Sequence, residues 1–141
     1  MATKEKTTIT VAATVNAPIQ KVWEFWTSPE HITQWNNASN DWHTPWATNE
    51  LKTGGKFSYR MEAKDGSFGF DFNGEYTEVK TNEFIEYIIA DGRKVQIVFE
   101  TNNLQTIVTE TFEAEEVHPL EMQQDGWQAI INNFKRHVET N

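Results

Sequence analysis

Five times between Gly54 and Glu116 the chain places apolar residues at every second position, and after Pro119 it drops that period for a helical one. Phe57, Tyr59 and Met61 alternate with Lys56, Ser58 and Arg60, and Phe68, Phe70 and Phe72 alternate with Gly69, Asp71 and Asn73. Ile85, Tyr87 and Ile89 come next, then Val95, Ile97 and Phe99, then the run QTIVTETFEAE. A period of two buries one face of a strand and wets the other. The turns AKDG, ADGR and TNNL are short, so successive strands are antiparallel neighbours. Asn73-Gly74 is a further turn signal, but Tyr76 to Val79 continue the strand composition, which predicts a bulge or bend there. Ile9, Val11, Ala13 and Val15 form one more alternating run near the N-terminus, giving six strands.

The closing segment has a different period. Leu120, Trp127, Ile131, Phe134 and Val138 fall on one helical stripe, with acids before it and Lys135, Arg136 and His137 near its end, as the helix dipole favours. Gly126 interrupts this helix, at a cost of about 1 kcal/mol relative to alanine. With Ala129 it predicts a small-residue strip that brings the helix backbone close to a strand or loop. Between the first strand and the rest, NAPIQKVWEFW and TSPEHITQW predict two short helices broken at Ser28-Pro29, with Pro18 and Pro29 at their starts. Residues 36–53 lose all periodicity and read as a long loop that nevertheless carries Trp42 and Trp46. The arrangement is α+β: a strand, two short helices, five more antiparallel strands and a long C-terminal helix, one domain over residues 1–141.

Composition removes several functions. The net charge of -9 opposes nucleic acid and anionic membranes. The absence of cysteine excludes disulfides, thiolate metal sites and cysteine nucleophiles, and fits a cytoplasmic setting. No apolar run is long enough for a membrane span, and the N-terminal stretch MATKEKTTITVAATV has no signal core. The Asn37-Ala38-Ser39 sequon carries little weight without such a signal.

The strand-helix-helix opening with VWEFWTSPEHITQW, the GGKFSYRMEAKDG hairpin, GEYTEV and the closing GWQAIINNFKRHVE resemble the Hsp90-ATPase-activator-homologue (AHSA1-like) group. That group belongs to the START-like, Bet v 1-like (SRPBCC) superfamily, and the resemblance runs from about Thr7 to Glu139 in their order and spacing. It implies a helix-grip fold, in which a curved six-stranded sheet wraps the long C-terminal helix around a cavity. It implies two kinds of partner, a small hydrophobic or amphipathic molecule or, alternatively, an Hsp90-type chaperone.

Catalytic and metal constellations are missing from the sequence. The four histidines, His31, His43, His118 and His137, form no HExxH pair, no nucleophile elbow exists, and Gly54-Gly55 precedes a strand instead of a helix. Asp41 and His43 read as two solvated loop residues. A cyclase- or hydrolase-type enzyme therefore ranks behind binding, and no cofactor or metal is expected. Alternation and the family likeness together nominate Trp35, Trp42, Trp46, Phe57, Tyr59, Phe70, Phe72, Tyr87, Ile97, Phe99, Trp127, Ile131 and Phe134 as the cavity's ligand-binding residues. For Trp35, Trp42 and Trp46 the readings are pocket wall or lid, core, or exposed patch; for Trp127, cavity floor or core. Glu110 enters the cavity if Val108 and Phe112 face inward, and is wet if Ile107, Thr109 and Thr111 do. The wet arrangement is the preferred one.

Overall fold

A computed structural model describes residues 7–141. The first six residues, which include the start of the stretch read for a signal core and of the 1–141 domain span, lie outside the described residues. The element order is β1 (Thr8–Val15), α1 (Ile19–Thr27), α2 (Pro29–Trp35), β2 (Trp42–Asn49), β3 (Lys56–Ala63), β4 (Gly69–Lys80), β5 (Phe84–Ile89), β6 (Lys94–Asn102), β7 (Gln105–Glu113) and α3 (Leu120–Thr140). The strands form one curled antiparallel sheet in the order β1-β7-β6-β5-β4-β3-β2. The α+β architecture with two short helices after the first strand is as expected, but the sheet has seven strands, not six. The extra strand, β2, comes from the supposed loop. Pro45 lies within it, and its register with β3 shifts between His43 and Trp46, so its alternation is broken.

Two glycines behave differently from expectation. The β3–β4 ladder runs through Gly74 without interruption, and the β4–β5 register shifts only between Tyr76 and Glu78. Gly74 is required for another reason: a Cβ there would lie 2.5 Å from the Ile88 carbonyl oxygen and 3.0 Å from the Phe57 ring. Gly126 shows the opposite. No heavy atom lies within 4 Å of where its Cβ would be, so no close backbone approach explains it. The half-buried glycine instead leaves space open beside Trp127.

The helices cover the inner face of the sheet. Val22, Trp23, Phe25 and Trp26 are buried from α1, Ile32 and Trp35 from α2, and Ile131, Phe134 and Val138 from α3. Leu120, the predicted start of the α3 stripe, is exposed, and the buried stripe begins at Gln123 instead. Phe134 meets the rings of Trp26 at 4.8 Å and Trp35 at 4.9 Å, both edge-on, which joins all three helices. Ring pairs of this geometry add about 0.5–1.5 kcal/mol each beyond their burial. Polar side chains then fix the position of α3. The Gln128 side-chain amide donates to the Ala12 carbonyl at 2.9 Å and accepts from the Ala12 N–H at 3.4 Å. Glu139 accepts from the Asn16 N–H at 2.8 Å. Gln123 accepts from the Glu115 N–H at 2.9 Å and donates to the carbonyls of Glu115 and His118, fastening the β7–α3 connection to the helix.

Candidate functional site

The register of the β-ladders decides which residues face the helices. Phe57, Tyr59 and Met61 of β3 stand opposite Gly74, Phe72 and Phe70 of β4. Tyr87 of β5 stands opposite both Tyr76 of β4 and Val95 of β6, and Val95 stands opposite Phe112 of β7. Glu110 of β7 stands opposite Ile97 of β6 on one side and Val11 of β1 on the other. Ile97 and Val11 are buried apolar residues of the inner face. Glu110 therefore points inward among them, only 6 % exposed.

These residues leave a cavity of about 270 Å³ between the sheet and the helices. Its walls include Trp26 and Trp35 from the short helices, Tyr59 and Met61 from β3, Phe70, Phe72 and Tyr76 from β4, and Ile85 and Tyr87 from β5. Trp127 and Ile130 contribute from α3, and Arg93, Glu110 and Glu115 add charge. The Trp127 ring is stacked on Phe112 at 3.9 Å and meets Phe72 edge-on at 6.1 Å, so α3 lays an aromatic surface over β7 and β4. Phe70, 39 % exposed, and half-buried Met61 mark a side open to solvent.

Most polar groups of the lining are already engaged. Tyr76 donates to Asn49 Oδ1 at 2.5 Å, and Asn49 donates to the Thr27 carbonyl at 2.7 Å. Tyr59 shares a hydrogen bond with Tyr76. The Trp35 indole donates to the Phe25 carbonyl at 2.9 Å, and the Asn36 carbonyl accepts from Thr44 at 2.6 Å. Arg93 donates to Asp91 at 2.8 Å and to the Glu113 carbonyl, and Glu115 accepts from His118. Burial pushes the Glu110 carboxyl up to about 8. Burial also raises the Tyr59 and Tyr87 hydroxyls well above the usual tyrosine value, with the negative charge of Glu110 as a further cause for both. A buried carboxyl in apolar surroundings holds its proton at neutral pH.

The sequence model of one family, described as Activator of Hsp90 ATPase homolog 1-like protein, matches residues 16–139. The chain belongs to this AHSA1-like family, a member of the SRPBCC/Bet v 1-like superfamily. The AHSA1-like protein from Aeromonas hydrophila is 43% identical, with 95% of this chain and 93% of that one covered and a TM-score of 0.89. A protein from Cytophaga hutchinsonii is 54% identical over 96% of this chain and 93% of its own, with a TM-score of 0.80. A Nitrosomonas europaea protein at 16% identity still reaches a TM-score of 0.81, a likeness of fold. No curated protein matches the chain.

Within this AHSA1-like fold the nominated residues separate into groups. Trp35, Tyr59, Phe70, Phe72, Tyr87 and Trp127 come together around the cavity. Phe57, Ile97, Phe99, Ile131 and Phe134 lie buried in the core behind it. Trp42 sits with Phe68 and Phe70 near the β3–β4 hairpin, at ring distances of 6.0 and 6.1 Å. Trp46 stands opposite Arg60 on the outer face and is 47 % exposed. Glu110 corrects the preferred expectation: it faces inward, because the β6–β7 register pairs it with Ile97. The hairpin held the signal. Asn102 pairs with Gln105, so only Asn103 and Leu104 turn the chain, and counting back from that turn puts Phe99 opposite Val108. Sequence reasoning also missed Trp26, Met61, Tyr76, Ile85 and Ile130 as wall residues. Asp41 and His43 do not meet: Asp41 accepts from Ser39 at 2.5 Å, and His43, now on β2, lies 3.6 Å from Glu62. Among the described residues no three His, Asp or Glu groups are grouped to hold a metal ion, and no helix is long and apolar enough to cross a membrane.

Proposed function

We propose that this AHSA1-like chain binds a small, predominantly apolar molecule in the cavity between its sheet and α3, in the cytoplasm. The observation that carries this reading is the aromatic-walled space of about 270 Å³, which reaches a buried carboxyl without filling it. Small-ligand pockets run from about 300 to 1,000 Å³, with apolar walls and a few orienting polar groups, so a small ligand is implied. Trp35, Tyr59, Phe70, Phe72, Tyr87 and Trp127 are the proposed contacts. Apolar burial supplies the affinity, at about 25 cal/mol per Å² removed from water.

Amide shifts in NMR, followed while single- and double-ring aromatics, short fatty acids and small terpenoids are added, test the reading. Saturable shifts at Phe72, Tyr87 and Trp127 are expected. An unresponsive spectrum across all these classes would remove it.

An Hsp90-type chaperone as partner is the second reading. It draws support from the family's description and from the exposed Phe68 and Phe70 rings, clustered with half-buried Trp42 near the β3–β4 hairpin. It predicts that the chain alters the ATPase rate of an Hsp90, and that Phe68→Ser removes the effect. An unchanged rate with the intact chain ends this reading.

A further inference from the structure

Resting on the ligand-binding reading above, we propose that the cavity selects apolar molecules carrying a carbonyl oxygen, which accepts hydrogen bonds from the Glu110 carboxyl and the Tyr87 hydroxyl. The two groups come from β7 and β5 and face the same space across β6. Between them β6 presents Val95 and Ile97, which offer no polar atom. Tyr87 stands in the row of Val95, Glu110 in the row of Ile97, one step apart on the inner face.

The unmatched chemistry of the lining is donor chemistry. Tyr59, Tyr76, Asn36, Arg93 and Glu115 all make hydrogen bonds within the protein. Among the described residues, Glu110 and Tyr87 are the lining carboxyl and hydroxyl that make none, and both are nine-tenths buried. Among the described residues no side-chain polar atom sealed from solvent lacks a partner, so their oxygens open onto the cavity. Facing the cavity, neither O–H has a protein acceptor, and a ligand oxygen placed between the two groups would accept from both at once. A neutral carboxyl beside a tyrosine hydroxyl in an apolar site is an effective pair of donors to one oxygen.

Charge favours the neutral form of Glu110. Beside Glu110, the titratable groups of the cavity lining are Tyr59 on β3, Tyr76 on β4, Tyr87 on β5, Arg93 before β6 and Glu115 after β7; α1, α2 with the Asn36 that follows it, and α3 contribute Trp26, Trp35, Asn36, Trp127 and Ile130. The one cation there, Arg93, is held by Asp91. With no counterion, desolvation keeps the proton on Glu110. An ammonium ligand is the rival chemistry, since it would ionise Glu110 and pair with it.

Three matched probes separate the possibilities: 2-acetylnaphthalene, its hydrocarbon isostere 2-isopropenylnaphthalene, and 2-(aminomethyl)naphthalene, with affinities read from NMR amide shifts. The full chain is expected to prefer the ketone over the hydrocarbon by about tenfold or more near pH 6, and to lose that preference above about pH 8. Tyr87→Phe and Glu110→Leu should each bring the two affinities together. Glu110→Gln, which keeps an N–H donor, should retain the preference and make it independent of pH. Equal affinities in the parent chain would overturn the donor pair while leaving the cavity reading intact. Preference for the amine, abolished by Glu110→Gln, would replace it with a cation site. If even the hydrocarbon fails to bind, the cavity reading falls and this proposal with it.

Discussion

Replacing Glu110 by glutamine should make the protein more stable, by an amount that grows with pH. The carboxyl titrates at about 8 in the fold against an ordinary value of 4.5. Below about pH 4.5 folded and unfolded chains both hold the proton, so ionisation adds no difference between them. As pH rises the unfolded chain releases its proton first, and the fold loses about 1.4 kcal/mol per pH unit until the folded-state value is passed. The sign is that of a raised folded-state value: stability present at low pH and lost toward high pH. By pH 7 the loss amounts to roughly 3 kcal/mol, a large part of the 5–15 kcal/mol that holds a typical domain together. Glu110→Gln cannot ionise and escapes the loss.

Urea unfolding of both proteins across about pH 4 to about pH 9.5 measures this directly, with midpoints converted at constant m. Every other titrating group is common to the two chains, so its contribution cancels in the difference. The expected difference rises by roughly 3 kcal/mol between about pH 4 and pH 7 and flattens above about pH 8. A constant offset at all pH values would mean that Glu110 titrates like an exposed carboxylate, and the inward, desolvated placement would be wrong.

Gly126→Ala should stabilise by about 0.5–1 kcal/mol in thermal unfolding, because the new methyl meets nothing within 4 Å and the helix gains propensity. Gly74→Ala should destabilise by about 1–3 kcal/mol in the same assay, because its methyl would strike the Ile88 carbonyl and the Phe57 ring. The His31–His137 contact at 3.0 Å predicts a second pH effect. Burial, with the positive charge of His31 as a further cause, holds His137 below the ordinary histidine value. The unfolded chain therefore takes up the proton first, and stability should fall as pH drops below about 6.5, less steeply in His137→Gln. Gln123→Ala should cost about 1–3 kcal/mol and speed amide exchange at Glu115, whose N–H it receives.

The parts of the fold that were legible in the sequence are those where one physical signal acts alone. β5 and β6 alternate cleanly because one face is dry and the other wet, and α3 declares itself through Ile131, Phe134 and Val138. β2 was hidden because Pro45 and the shift after His43 destroy the period that identifies a strand. The tryptophans misled for a related reason: a side chain that large stabilises wherever it is buried, so its presence does not say whether it meets a cavity, the core or solvent. Trp46 is exposed, whereas Trp26, which was not among the nominated residues, reaches the cavity wall. Glu110 was decided by neither composition nor alternation but by the length of the Asn103-Leu104 turn. A two-residue turn fixes the pairing of its strands, and a slip by one residue would send every side chain of β7 to the opposite face.

The Gln128 amide that meets both the N–H and the carbonyl of Ala12 mimics the rung an eighth strand would supply. β1 is one outer margin of the sheet, and that rung occupies the place where an intruding polypeptide would begin to zip on. At the other margin Pro45 withholds a donor and the bulge after His43 disrupts the ladder. Both borders are thus closed by different means, which keeps neighbouring molecules from extending this sheet into a polymer.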